Sequence, residues 1–136
     1  MKNALQTTRY GHVVSTRLPY ESAVEQIKSL LKDEGFGVLC EIDVKKTMQD
    51  KLGVAFRPYC ILGACNPPLA HRALSADAQL GLLLPCNIVV QEEQSRTIVS
   101  AIDTRALLSV TGDPSLLPIA DEVNARLTRV LDRIAT

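Results

Sequence analysis

Two short stretches hold the residue types best suited to chemistry, Cys65-Asn66-Pro67 and Pro85-Cys86-Asn87. In each, a cysteine directly precedes an asparagine and a proline stands alongside. A thiolate is a nucleophile, a redox centre and a soft-metal ligand. An asparagine amide offers two donors and two acceptor lone pairs to a bound molecule. Cys65, Asn66, Cys86 and Asn87 are therefore the candidate ligand-binding residues, expected to line one pocket at a common end of a sheet. His71, six residues beyond Cys65, would complete a set of three ligands for Zn²⁺ or Cu⁺. Blander roles suit the same residues. Buried cysteines serve as small hydrophobes, Asn66 and Asn87 as caps or turn formers, and His71 as a surface side chain. Three functions compete: a small-ligand or thiol-sensing domain, a soft-metal protein, and a structural or dimerisation module.

The elements that must hold these residues are legible from patterning. Tyr59 to Ala64 is an apolar run that reads as a buried strand, and Asn66 followed by Pro67 is a helix start. Cys65 thus stands just before a helix N-terminus, where unpaired N–H groups favour a thiolate. Pro85 ends one segment, and Cys86 to Glu92 begins a strand that is joined through Glu93-Gln94-Ser95 to a second strand, Arg96–Asp103. Upstream, Tyr10 to Leu18 reads as a strand. Tyr20 to Glu34 reads as a helix with Ala23, Val24, Ile27, Leu30 and Leu31 on one face, ending at Gly35. Phe36 to Val44 alternates, which puts Phe36, Val38, Cys40, Ile42 and Val44 on one face and makes Cys40 a core residue. Asp43 caps a short helix over Val44 to Leu52. A last helix over Ile119 to Ile134 carries the clearest apolar stripe, Ala120, Val123, Leu127, Val130 and Ile134. Asp43 and Asp103 suit helix caps better than an acid–base pair, and His12 has no evident partner.

This order, with a hairpin inside an alternation of strands and helices, predicts a two-layer α+β fold. Its sheet would be mixed but mostly antiparallel, with about five strands packed against helices. The chain has 136 residues, which suits one domain over 1–136 with residues 1–8 as a loose tail. Lysine plus arginine equals aspartate plus glutamate at 15 each, so no net field draws nucleic acid or an anionic membrane. Aromatic residues make up 4% and tryptophan is absent, a poor basis for stacking bases. No apolar run reaches the ~20 residues of a membrane span, and the N-terminus does not resemble a secretion signal. A cytoplasmic protein with reduced thiols follows as the expectation for Cys40, Cys60, Cys65 and Cys86. No C-x-x-C pair, glycine-rich phosphate loop or nucleophile elbow occurs, so no catalytic residue, reaction or cofactor is assigned. Apolar residues on both faces of the predicted strands, Val89 beside Ile88 and Val90 and Val99 beside Ile98, predict a homodimer.

Four ordered motifs, GFGVLCEIDV at 35–44, ILGACNPPLAHRAL at 61–74, GLLLPCNIVV at 81–90 and VSAIDT at 99–104, resemble the bacterial and archaeal family called domain of unknown function 302. The resemblance runs from Tyr10 to Ile134 and rests most closely on Cys65, Asn66, Pro67, Ala70, Pro85, Cys86 and Asn87. It implies a compact α+β fold, often dimeric, and names no reaction.

Overall fold

Period-two alternation along the central stretches builds strands that pair into one antiparallel sheet. The computed structural model describes residues 5–136. Its strands are β1 (Gln6–Thr7), β2 (Gly11–Thr16), β3 (Gly37–Asp43), β4 (Tyr59–Cys65), β5 (Cys86–Glu93) and β6 (Arg96–Ile102). The helices are α1 (Tyr20–Asp33), α2 (Val44–Leu52), α3 (Pro67–Ala76), α4 (Thr104–Ser109) and α5 (Leu117–Ile134), with 3₁₀ turns at Ala78–Leu82 and Pro114–Leu116. In space the strands run β1-β2-β6-β5-β4-β3.

The α+β expectation holds, with two corrections of detail. The sheet has six strands among the described residues, and every neighbouring pair is antiparallel. Helix α1 carries the chain from β2 to β3, which lie apart in the sheet, so that passage makes no parallel neighbours. The sixth strand comes from the stretch expected to be a loose tail: Gln6 and Thr7 pair with Val13 and His12. Residues 1–4 of that expected tail lie outside the described residues.

One face of the sheet is covered. Helix α1 buries Ala23, Val24, Ile27, Leu30 and Leu31, and α5 buries Ile119, Ala120, Val123, Leu127, Val130, Leu131 and Ile134. Both stripes recur every three or four residues, as a helix lying on a flat surface requires. They pack with Val14, Leu62, Ile88, Val90 and Val99 in one core. Strand register places Val13, Ile61, Val89, Ile98 and Ser100 on the opposite face, where they are only half-buried. We call this the open face.

Strand β3 departs from its predicted pattern. It is the edge strand, and a register shift between Val38 and Cys40 breaks its alternation. Val38 still packs on the core, but beyond the shift Cys40 pairs with Gly63 and Ile42 with Ile61, both on the open face. Cys40 is exposed, not core. Glu41 pairs with Leu62 of the covered face, where it meets Lys28 of α1 at 2.8 Å. Strands β5 and β6 meet at a two-residue turn, Gln94-Ser95, with φ of 50° and 64°, the mirror-image geometry that matches strand twist.

Candidate functional site

The two Cys-Asn motifs meet different fates. At the end of β4, Asn66 takes an extended conformation and its Oδ1 accepts a hydrogen bond from the Leu69 N–H at 3.2 Å. Pro67 and Pro68 fill the first helical positions, where no N–H has an intrahelical partner in any case. Asn66 is 7% exposed. Its Nδ2 would lie 3.0 Å from a Cβ on Gly35, and Arg126 Nη1 would lie 3.3 Å from it. Gly35 has φ +85°, so a side chain here would meet both backbone strain and a crowded amide. A polar hollow of about 450 Å³ opens beside it, with Arg72, Glu122 and Arg126 in its wall. Arg126 is already engaged, with Glu122 at 3.0 Å and the Glu34 carbonyl at 2.8 Å.

Asn87 sits one residue into β5, opposite Gly63, exposed on the open face. Cys86 precedes it and therefore points the other way, opposite Ala64 in the core. Burial pushes its thiol up to about 11, and the neighbouring Cys65 adds to the rise. A buried thiol held protonated is a poor nucleophile at neutral pH. Cys65 is half-buried at the end of β4, opposite Gly37, which register assigns to the open-face set. All four cysteines are free thiols. Cys60 is buried, and that burial above all raises its thiol.

The prolines have a separate role. A Cβ on Gly63 would lie 2.6 Å from Cys40 Sγ and 2.8 Å from Pro85 Cγ. The absence of a side chain at Gly63 lets the Pro85 ring, after a cis Leu84–Pro85 bond, settle on the open face of β4. That seat starts β5 in the register that buries Cys86 and exposes Asn87.

Cys65 thus follows Ala64, the strand partner of Cys86, with the two thiols assigned to opposite faces of the sheet, and the asparagines are separated. Asn66 lines the polar hollow at the α3 start, while Asn87 lines a second hollow on the open face. His71 is exposed on α3, and among the described residues no group of three His, Cys, Asp or Glu is placed to hold a metal.

The open-face hollow has a volume of about 310 Å³. Val13, Ser100 and Val89 lie side by side across β2, β6 and β5 and form its floor. Tyr10 and Tyr59 wall it, and Asn87, Gln91 and Ser100 supply polar groups. Asn87 was expected at a ligand site and Val89 at a dimer face, and the other lining residues carried no such expectation from the sequence. The signal was present in β5, where Asn87, Val89 and Gln91 alternate with the buried Cys86, Ile88 and Val90.

His12 also has partners that the sequence does not reveal. Its Nδ1 lies 3.2 Å from Thr7 Oγ1 and its Nε2 4.0 Å from Asp103 Oδ2. Burial raises the Asp103 carboxyl, but hydrogen bonds from Asn124 Nδ2 and the Ala106 and Arg105 N–H groups, with His12 nearby, outweigh it and hold it below the usual range. Asp103 caps α4, as Asp43 caps α2 through the Lys46 N–H. This cluster ties β1 and β2 to the start of α4.

A family model for the domain of unknown function DUF302 matches residues 12–134. The chain belongs to the DUF302 family. A crystal structure of an uncharacterized conserved DUF302 protein from Bacillus stearothermophilus is 34% identical to this DUF302 domain, with a TM-score of 0.88. The match covers 93% of this chain and 99% of that one. No curated protein matches. Among the described residues of the domain, no helix is long and apolar enough to cross a membrane.

Proposed function

We propose that this DUF302 domain binds a small molecule in the open-face hollow, with Asn87 orienting the ligand. The observation that carries this reading is the hollow itself. It holds about 310 Å³ over an apolar floor, with a few convergent amide and hydroxyl groups. Small-molecule sites have this make-up and begin at about this size. The test is retention from a cell extract. Protein is equilibrated with the extract, washed and denatured, and the released compounds are identified by mass spectrometry. The wild type should retain a compound that Ser100→Trp, which fills the floor, does not. Identical profiles from the two would end the proposal.

The thiol-sensing and soft-metal readings have less support. The Cys86 thiol is buried and pushed to about 11, and His71 is exposed on α3. Four free thiols suit a reducing, cytoplasmic setting.

A homodimer through the β3–β4 side of the open face is our reading of the remaining apolar surface. Leu39 and Ile42 of β3 are 68% and 45% exposed, as are Leu52 and Val54 after it, and Ile61 adjoins Ile42. The register shift in β3 interrupts its ladder, which favours face packing over edge-to-edge strand addition. Light scattering at micromolar concentration should return twice the chain mass, and Ile42→Lys should return the monomer. A wild-type monomer would remove this reading and leave the ligand site untouched.

A further inference from the structure

We infer that the ligand of the open-face hollow is an uncharged, largely apolar molecule that lies flat across β2, β6 and β5 with one polar group held by Asn87. This deepens the ligand-binding reading and rests on it. Charged residues make up 22% of the chain, yet among the described residues none lines this hollow. Two other hollows differ in kind. One has Arg72, Glu122 and Arg126 in its wall, and the other, beside α2, has Asp43, Lys45, Lys46 and Asp50. The difference is physical: a charged ligand settling on Val13 and Val89 would shed hydration with no lining counter-charge to offset the loss. An uncharged body loses little hydration there and gains apolar contact along three adjacent strands. The floor is a row of paired residues, so it is broad and shallow and accepts a flat molecule more readily than a globular one. Outside the lining, Arg57 Nη1 approaches the lining residue Gln91 at Oε1, 3.5 Å away.

Two fluorescent probes with one skeleton isolate the charge. N-phenyl-1-naphthylamine is uncharged with a single N–H, and 1-anilinonaphthalene-8-sulfonate adds a sulfonate. Titrated against the full chain, the uncharged probe should bind about ten-fold more tightly. Its signal should be lost in Ser100→Trp and, should that variant fail to fold, in Val89→Phe, with folding checked by circular dichroism. If the sulfonate binds equally or better, and a filling variant abolishes its signal, the site stands and the uncharged class is overturned. A weaker sulfonate signal in Arg57→Ala would then identify an anion held by that residue. If neither probe's signal responds to a filling variant, both this inference and the ligand-binding reading fall.

Discussion

Asn66 and Asn87 share a cysteine before them and a proline alongside, yet one works inside the fold and the other faces outward. Asn66 ends a strand and starts a helix, so its side chain turns inward to satisfy the Leu69 N–H. Asn87 lies within a strand, where its backbone is paired in the ladder and its side chain is free to meet something else. A dipeptide motif thus acquires its role from the element that follows it: Asn66 is tied to stability, and Asn87 is surplus to it.

The contrast between the two faces is sharpest at adjacent residues. Ile88, 1% exposed on the covered face, should lose about 2–5 kcal/mol of stability on replacement by alanine. Val89, half-buried on the open face, should lose under about 1 kcal/mol. Urea denaturation of both variants measures this, and equal losses would show that the open face is also core.

Gly63→Ala probes the seat that sends Cys86 in and Asn87 out. The new methyl would meet Pro85 and Cys40, and overpacking of this kind costs about 1–3 kcal/mol. Cys40→Ala in the same background should recover part of that loss, since one of the two clashes goes with the sulfur.

Cys86 should report its burial through pH. Its folded-state value of about 11 stands above the 9.0 of a free thiol, so the folded chain keeps a proton that the unfolded chain gives up. The stabilisation is whole below pH 9 and falls as pH rises towards 11, by about 1.4 kcal/mol per unit. Cys86→Ala should flatten that part of the alkaline unfolding profile. At pH 8, alkylation with peptide mapping should label exposed Cys40 first and Cys86 and Cys60 slowly.

The smallest effects belong to the asparagines. Asn66→Ala removes a cap and should cost about 1 kcal/mol, while Asn87→Ala should change stability by under about 0.5 kcal/mol. Should Asn87→Ala lower the melting temperature as much as Asn66→Ala, the division between the two motifs fails.

Features that depend on residues within a turn of one another were readable without the fold. The caps at Asp43, Asn66 and Asp103, the stripe of α5 and the β5–β6 hairpin are of this kind. Each is decided by hydrogen bonds or side-chain spacing over two to four positions, and every one lies where local chemistry puts it. The error over Cys40 shows where local reading stops. Alternation says which residues share a face, but one shifted residue at Val38/Cys40 exchanges the faces for everything after it.

Strand order, too, has no local signature. That β3 is an edge and that β2 neighbours β6 depend on pairings between stretches far apart in the chain, as Thr16 with Thr97 and Gly11 with Ile102. The candidate site divides along the same line. Local sequence chemistry was enough for Asn66 to start a helix, but the single pocket expected for both motifs gave way once strand pairing set Cys86 and Asn87 on opposite sides of β5. Only the tertiary structure decided which side the helices cover. With that choice Cys86 became core, Asn87 became the lip of a hollow, and residues with no motif of their own, Val13, Tyr59 and Ser100, became its floor and wall.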